Sequence, residues 1–286
     1  MAEMKAEMKV ARVLRYAAEK KVPLNRNTAH QFAAQQALVH YGSDTVYSFI
    51  PKNGCSTLRL SLAMANGCIS DPQADWTWIH PNNNTFSANL RDLATARFTF
   101  TVLRCPHARL ASVFLDKILS RGPEYWELFR AEGDTLDHDR LNFRSFVRLI
   151  TKPGRLSSAN IHWRPQVDFL VYEDYDAWYA MENFKEAAAE IGARVFPVVD
   201  ARGLTRHGTD QVRLVDDKCY ADVPAQRLAH MRRTGELPSH AALYDDALAK
   251  TVARAYATDM ALYRDRCGAA GLTFPDSDET FKGPKT

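Results

Sequence analysis

A chain of 286 residues can bury a sizeable hydrophobic core without disulfide or metal staples. Its 46% hydrophobic and 25% charged residues exclude a disordered or fibrous architecture. A net charge of +3, with Lys and Arg interleaved among nearly as many Asp and Glu, gives no reason to expect a nucleic-acid partner, though gathered cations would suit a small anion.

In chain order, residues 4–20 are rich in helix formers and belong to a segment, 1–40, expected to be a helical N-terminal extension. Residues 1–10 lack the apolar run of a signal peptide, and no stretch reaches the roughly 18 apolar residues of a membrane span. Thr45-Val46-Tyr47-Ser48-Phe49-Ile50 reads as a strand that stops at Pro51. A turn follows, then a helix over 57–65 ended by Asn66-Gly67. A second strand, 98–103, ends at Arg104, and Pro106 opens a helix with Leu110, Ala111, Phe114 and Ile118 on one face. Beyond it, 141–151 and 180–191 read as helices, 194–199 as a strand, and 241–264 as one long helix with Leu248, Val252, Ala255 and Tyr256 inward. Residues 275–286 form a polar tail.

No repeat or low-complexity linker divides the chain, so one domain over 1–286 is expected. Two strand-turn-helix units predict an α/β fold, a mainly parallel sheet flanked by helices with its ligand at the carboxyl ends of the strands. Five cysteines (Cys55, Cys68, Cys105, Cys219 and Cys267), odd in number and without a CxxC pair, argue against a disulfide framework and a zinc site, and point to a reducing, cytoplasmic setting.

The loop from Pro51 to Thr57 carries the first chemical signal. Free N–H groups at a helix start attract an anion, Gly54 permits close backbone approach, Lys52 supplies a charge, and Ser56 and Thr57 supply hydroxyls. The same residues also suit an ordinary strand-to-helix turn. Lysine ahead of glycine is not the order of a Walker A loop. At the second strand, Arg104 and Ser112 are placed to meet one phosphate, while Arg109, Asp116 and Lys117 read as a solvated helix face with local ion pairs.

The run at 51–60 together with Val102–Lys117 resembles the 5′-phosphosulfate and 3′-phosphate motifs of sulfotransferases that use 3′-phosphoadenosine 5′-phosphosulfate (PAPS), in particular their carbohydrate branch. Ile161-His162-Trp163-Arg164-Pro165-Gln166 is similar to a His-Trp-x-Pro segment of that branch. The resemblance implies a P-loop-like sulfotransferase fold that moves a sulfuryl group to a hydroxyl of a carbohydrate, glycolipid or similar acceptor and leaves 3′-phosphoadenosine 5′-phosphate, without a metal. It further implies that Lys52 meets the 5′-phosphate and the leaving oxygen, that Asn53, Gly54, Cys55, Ser56 and Thr57 surround that phosphate, and that Arg104 and Ser112 bind the 3′-phosphate. Cys55 then serves packing, not attack.

The acceptor hydroxyl needs a base. His80, the one histidine between residues 41 and 106, is the first candidate, with His162 and His107 as rivals. Trp163 is open to an adenine-stacking or a core role. Trp76, Trp78 and Asn82-Asn83-Asn84 would suit a sugar, though asparagine runs also simply form turns. Two other classes stay open: a non-catalytic protein that keeps the PAPS fold, and a P-loop kinase or nucleotide hydrolase. An oligomer is compatible with all of them.

Overall fold

The computed structural model describes residues 12–17, 22–82, 84–133, 136–137, 139–154, 160–201, 203–204 and 212–277. Near the N-terminus the backbone N–H of Arg15 donates to Val171 O at 3.0 Å, part of an antiparallel bridge between Leu14 and Tyr172. Asn27 caps helix α1 (Thr28–Gln35) by accepting from the N–H groups of Ala29 and His30. Of the segment expected to be helical over 1–40, the end is therefore a strand, β1 (Ala37–His40), because it pairs antiparallel with β2 (Thr45–Ser48). Residues 1–11 and 18–21, and 278–286 of the expected polar tail, lie outside the described residues.

β2 leads through the 51–54 turn into α2 (Cys55–Ala65). The short helices α3 (Pro72–Asp75) and α4 (Leu90–Thr95) precede β3 (Phe98–Leu103). β3 lies parallel to β2, with Tyr47 opposite Phe100, and parallel to β4 (Ala177–Ala180), with Val102 opposite Tyr179. The sheet order is β1-β2-β3-β4, mostly parallel and flanked by helices, as the sequence predicts. Every residue of β2 and β3 is buried, which is why both read as unbroken strand-like runs.

After β3 comes α5 (Pro106–Val113), which runs on into a π turn over Phe114–Ile118, with Leu119 N–H donating to Phe114 O at 3.1 Å. α6 (Pro123–Ala131) and α7 (Phe143–Ile150) then build an aromatic core in which Phe114 meets Phe143 and Phe146. The helix expected over 180–191 begins only at Phe184 (α8, Phe184–Arg194), because Ala180 ends β4 and Met181–Asn183 form a 3-10 turn between the two. Residues 194–199 do not form the expected strand. Phe196 turns inward against Phe100, and Val199 N–H donates to Ser61 Oγ, so tertiary packing overrides local strand preference.

A separate parallel ribbon pairs β5 (Arg213–Val215) with β6 (Glu236–Pro238) around α9 (Ala225–Arg233). The long helix expected over 241–264 is three pieces: a 3-10 turn Ala241–Leu243, α10 (Asp246–Ala255) and α11 (Ala257–Cys267). The break falls at Tyr256, whose hydroxyl donates to Trp163 O at 2.6 Å. Among the described residues no helix is long and apolar enough to cross a membrane.

Candidate active site

The turn after β2 is built around two left-handed residues, Lys52 (φ 72°) and Gly54 (φ 71°). Glycine adopts this conformation without cost, whereas lysine does so only when its surroundings enforce it. A Cβ at position 54 would lie 2.6 Å from Phe184 Cε2, so Gly54 is required by packing as well. Gly54 is the N-cap of α2 and has no side chain to cap it, which leaves the first-turn N–H groups of an 11-residue helix open to an external anion. Beneath the turn, fully buried Asn53 donates its side-chain amide to Val102 O at 2.8 Å and to Gln166 Oε1 at 2.7 Å, and its own N–H to Ile50 O. Asn53 is therefore an anchor of the turn, with both donors spent inside the fold.

Gln166 joins the two strand-end loops. Its Oε1 also accepts from Arg104 N at 3.0 Å, and its Nε2 donates to Arg104 O at 2.9 Å. The backbone N–H groups of Gln166 and Val167 in turn donate to the buried carboxylate of Asp259, whose pKa is pushed up to about 6 by burial, against the pull of those bonds and of Arg109. Arg104 closes the connection by donating Nη1 to Lys52 O at 2.7 Å. Arg109, expected on a solvated face, is 2% exposed and donates to Pro51 O, Arg164 O and Ile161 O. One guanidinium thus ties the Lys52 turn to the segment that carries His162.

Asp116 is likewise buried, at 6% exposure, and its carboxylate takes Lys52 Nζ at 2.7 Å and Lys117 Nζ at 3.6 Å. Burial holds the Lys52 ammonium below the ordinary lysine range, and Asp116 offsets part of that. The π turn gives these two residues their aim, since it shifts the helical register at 114–118. The network continues from Lys117 to Glu124 Oε1 at 3.8 Å, and from there to His162 Nδ1 at 3.3 Å. A second imidazole, His240, lies near Arg104 and Lys52. His162 is pushed down to about 3 by burial, then by Lys117, Lys52 and Arg109, and His240 to about 3 by burial, then by Arg104 and Lys52.

The structure therefore brings Lys52, Gly54, Cys55, Ser56 and Thr57 to one helix start, with Arg104 bonded to the turn. Ser112 is half-buried in the second turn of α5. His80 is exposed, its ring edge-on to Trp76 at 5.8 Å, at the end of a 3-10 turn that Arg59 ties to α2 by donating to Ile79 O. His107 is a core residue, bonded to Ala249 O at 2.9 Å and flanked by Tyr244 and Phe274. Trp163 is buried against Phe146, which makes it core and not an exposed stacking face. Trp78 packs on Phe86, Asn82 donates to Trp78 O, and Asn83 lies outside the described residues. Sequence reasoning missed Gln166, Asp259, Glu124 and His240. None of them sits in a strand-turn-helix motif, and only Gln166 carried a signal, its place after the His-Trp-x-Pro run.

No curated protein and no solved structure matches the chain. A family model described as the sulfotransferase family matches residues 35–264, a span that runs from the end of α1 into α11 and contains every residue of the site above. The chain belongs to the sulfotransferase family.

Proposed function

We propose that the protein transfers a sulfuryl group from PAPS to a hydroxyl of a carbohydrate, glycolipid or similar acceptor, as a single domain. The observation that carries this reading is the pairing of an uncapped α2 N-terminus with Lys52, in a turn whose carbonyl is held by Arg104. The site suits a nucleotide with two anionic groups: open N–H donors, the Lys52 ammonium and the Arg104 guanidinium are all complementary to phosphate.

Bound PAPS would supply a sulfuryl group already activated by its link to phosphate. Lys52 would hold the 5′ end and meet the negative charge that grows on the leaving oxygen, an interaction stronger in the transition state than before it. Gly54 lets the backbone approach, and Cys55, Ser56 and Thr57 offer N–H groups and hydroxyls. Arg104 and Ser112 would take the 3′-phosphate. Before the anion arrives Asp116 occupies Lys52, so binding requires Lys52 to be shared or released. A base must take the acceptor proton. Sequence position nominates His80 first, with His162 and His107 as rivals, and the contacts of the His162 ring with Asn160 and Glu124 support His162.

The test is calorimetric titration with 3′-phosphoadenosine 5′-phosphate, together with transfer of radiolabelled sulfate from PAPS to a panel of hydroxylated acceptors. Wild type should bind, and Lys52→Ala and Arg104→Ala should each weaken binding at least tenfold. No affinity for the nucleotide in the wild type would end this reading. Binding without transfer to any acceptor or to water would identify a non-catalytic nucleotide-binding protein, and magnesium-dependent turnover of ATP a kinase or hydrolase.

A further inference from the structure

His162 is fixed in a way that determines which of its nitrogens can act. Its Nδ1 faces two oxygens, Asn160 Oδ1 at 2.9 Å and Glu124 Oε1 at 3.3 Å. Both accept, so Nδ1 carries the hydrogen and Nε2 keeps its lone pair. Glu124 is held for this contact by burial at 8% exposure, and its other oxygen, Oε2, is buried without a hydrogen-bond partner. Asn160 accepts from His162 N–H as well, at 3.0 Å, and donates to Glu127 Oε2, so the ring's neighbour is itself braced. Arg109 grips the carbonyls of Ile161 and Arg164 on either side of His162 and that of Pro51 next to Lys52. Imidazole and lysine are thereby held in one frame.

Resting on the sulfuryl-transfer reading, we infer that His162, oriented by Glu124, is the base that takes the acceptor proton. In the transfer, the acceptor oxygen bonds to sulfur while the bond from sulfur to the donor's bridging oxygen breaks. The hydroxyl proton passes to His162 Nε2, and Lys52 meets the electron pair left on the bridging oxygen. Glu124 is a positioning residue. It holds the tautomer and favours the imidazolium that forms, the part a carboxylate plays behind other catalytic histidines.

Charged groups face the ring from several elements. Lys52 reaches it from the turn before α2, Arg109 from α5, Asp116 and Lys117 from the π turn, and Glu124 from α6. Burial first, then Lys117, Lys52 and Arg109, push the ring down to about 3 although Asp116 pairs with both lysines. Of the other imidazoles, His107 is spent on Ala249 O, and no hydrogen bond is found among the described residues to orient the His240 ring.

The experiment follows release of 3′-phosphoadenosine 5′-phosphate from PAPS, with water always available as acceptor, in wild type, His162→Gln, Glu124→Gln and His80→Gln. His162→Gln is expected to lower the rate about 100-fold, the scale of general-base catalysis, while nucleotide affinity measured by calorimetry stays within threefold and reports an intact fold. Glu124→Gln should lower kcat about tenfold at unchanged KM for PAPS. It should also move the acid limb of the kcat profile about one pH unit lower, because the imidazole loses its carboxylate, an effect that loss of packing alone does not produce. His162→Gln at the wild-type rate, or the loss carried by His80→Gln instead, overturns the assignment while leaving the transferase reading standing. Absent nucleotide binding and absent turnover in the wild type overturn both.

Discussion

Removing the cradle lysine should cost stability as well as ligand binding, and by an amount the geometry allows one to bound. Lys52→Ala leaves the Asp116 carboxylate, at 7% side-chain exposure, without the ammonium 2.7 Å away. Breaking a buried ion pair from one side costs about 3–5 kcal/mol. Two features reduce that figure. Lys52 keeps 16% of its side-chain surface in water, and Lys117 remains 3.6 Å from the same oxygen. A loss of about 2 kcal/mol is therefore expected, to which relief of the left-handed lysine at φ 72° adds little, since alanine is no better suited to that conformation. For a chain of 286 residues the unfolding entropy is about 0.6 kcal/mol/K, so Tm should fall by about 3 °C. The assay is a double-mutant cycle by denaturant and thermal unfolding: wild type, Lys52→Ala, Asp116→Ala and the double variant. The double variant should lie nearer the wild type than the sum of the singles predicts, with a coupling of about 1–2 kcal/mol. Additive losses, or Lys52→Ala as stable as the wild type, would refute the view that Asp116 is a buried counter-charge.

Gly54→Ala meets both a left-handed backbone and Phe184 Cε2 at 2.6 Å from the new Cβ, so it should destabilise by at least ~1–2 kcal/mol and abolish nucleotide binding. Adding Phe184→Leu should recover part of the stability, as read by Tm, but not the backbone strain. Arg109→Lys keeps the charge but cannot reach three carbonyls in a fixed fork, and should cost about 2–3 kcal/mol in urea unfolding with weaker nucleotide binding by calorimetry. The buried Asp259, with a folded pKa of about 6 against an ordinary 3.8, binds its proton more tightly in the folded state. Its contribution to stability is therefore largest below pH 4 and is lost as pH rises through 6, by about 2–3 kcal/mol. Unfolding of wild type and Asp259→Asn from pH 4 to 7 should show the wild type losing ground steadily relative to the variant, and a constant difference would contradict this.

The local motifs were readable because each is short and self-contained. A strand before Pro51, a glycine in the turn after it, and a strand ended by Arg104 announce an α/β protein, and burial on both faces suits the β-branched and aromatic residues of β2 and β3. What sequence could not supply depends on distance in space. Phe196 reads as strand but packs as loop, and the 241–264 stretch reads as one helix but breaks at Tyr256 to reach Trp163 O, because long-range contacts outweigh local preference. Arg109 and Asp116 look like surface charges on a helix, yet one bonds three carbonyls from two segments and the other is turned inward by a π turn. Periodicity assigns such residues to a face but does not say what covers it. The 51–57 turn was thus legible in its own seven residues, while its anchors at Val102, Gln166, Arg104 and Arg109 come from elsewhere in the chain. The partners of Lys52 and the setting of His162 were decided only when α5, α6 and the 160–166 segment packed together, because burial and facing charges are properties of the assembled fold.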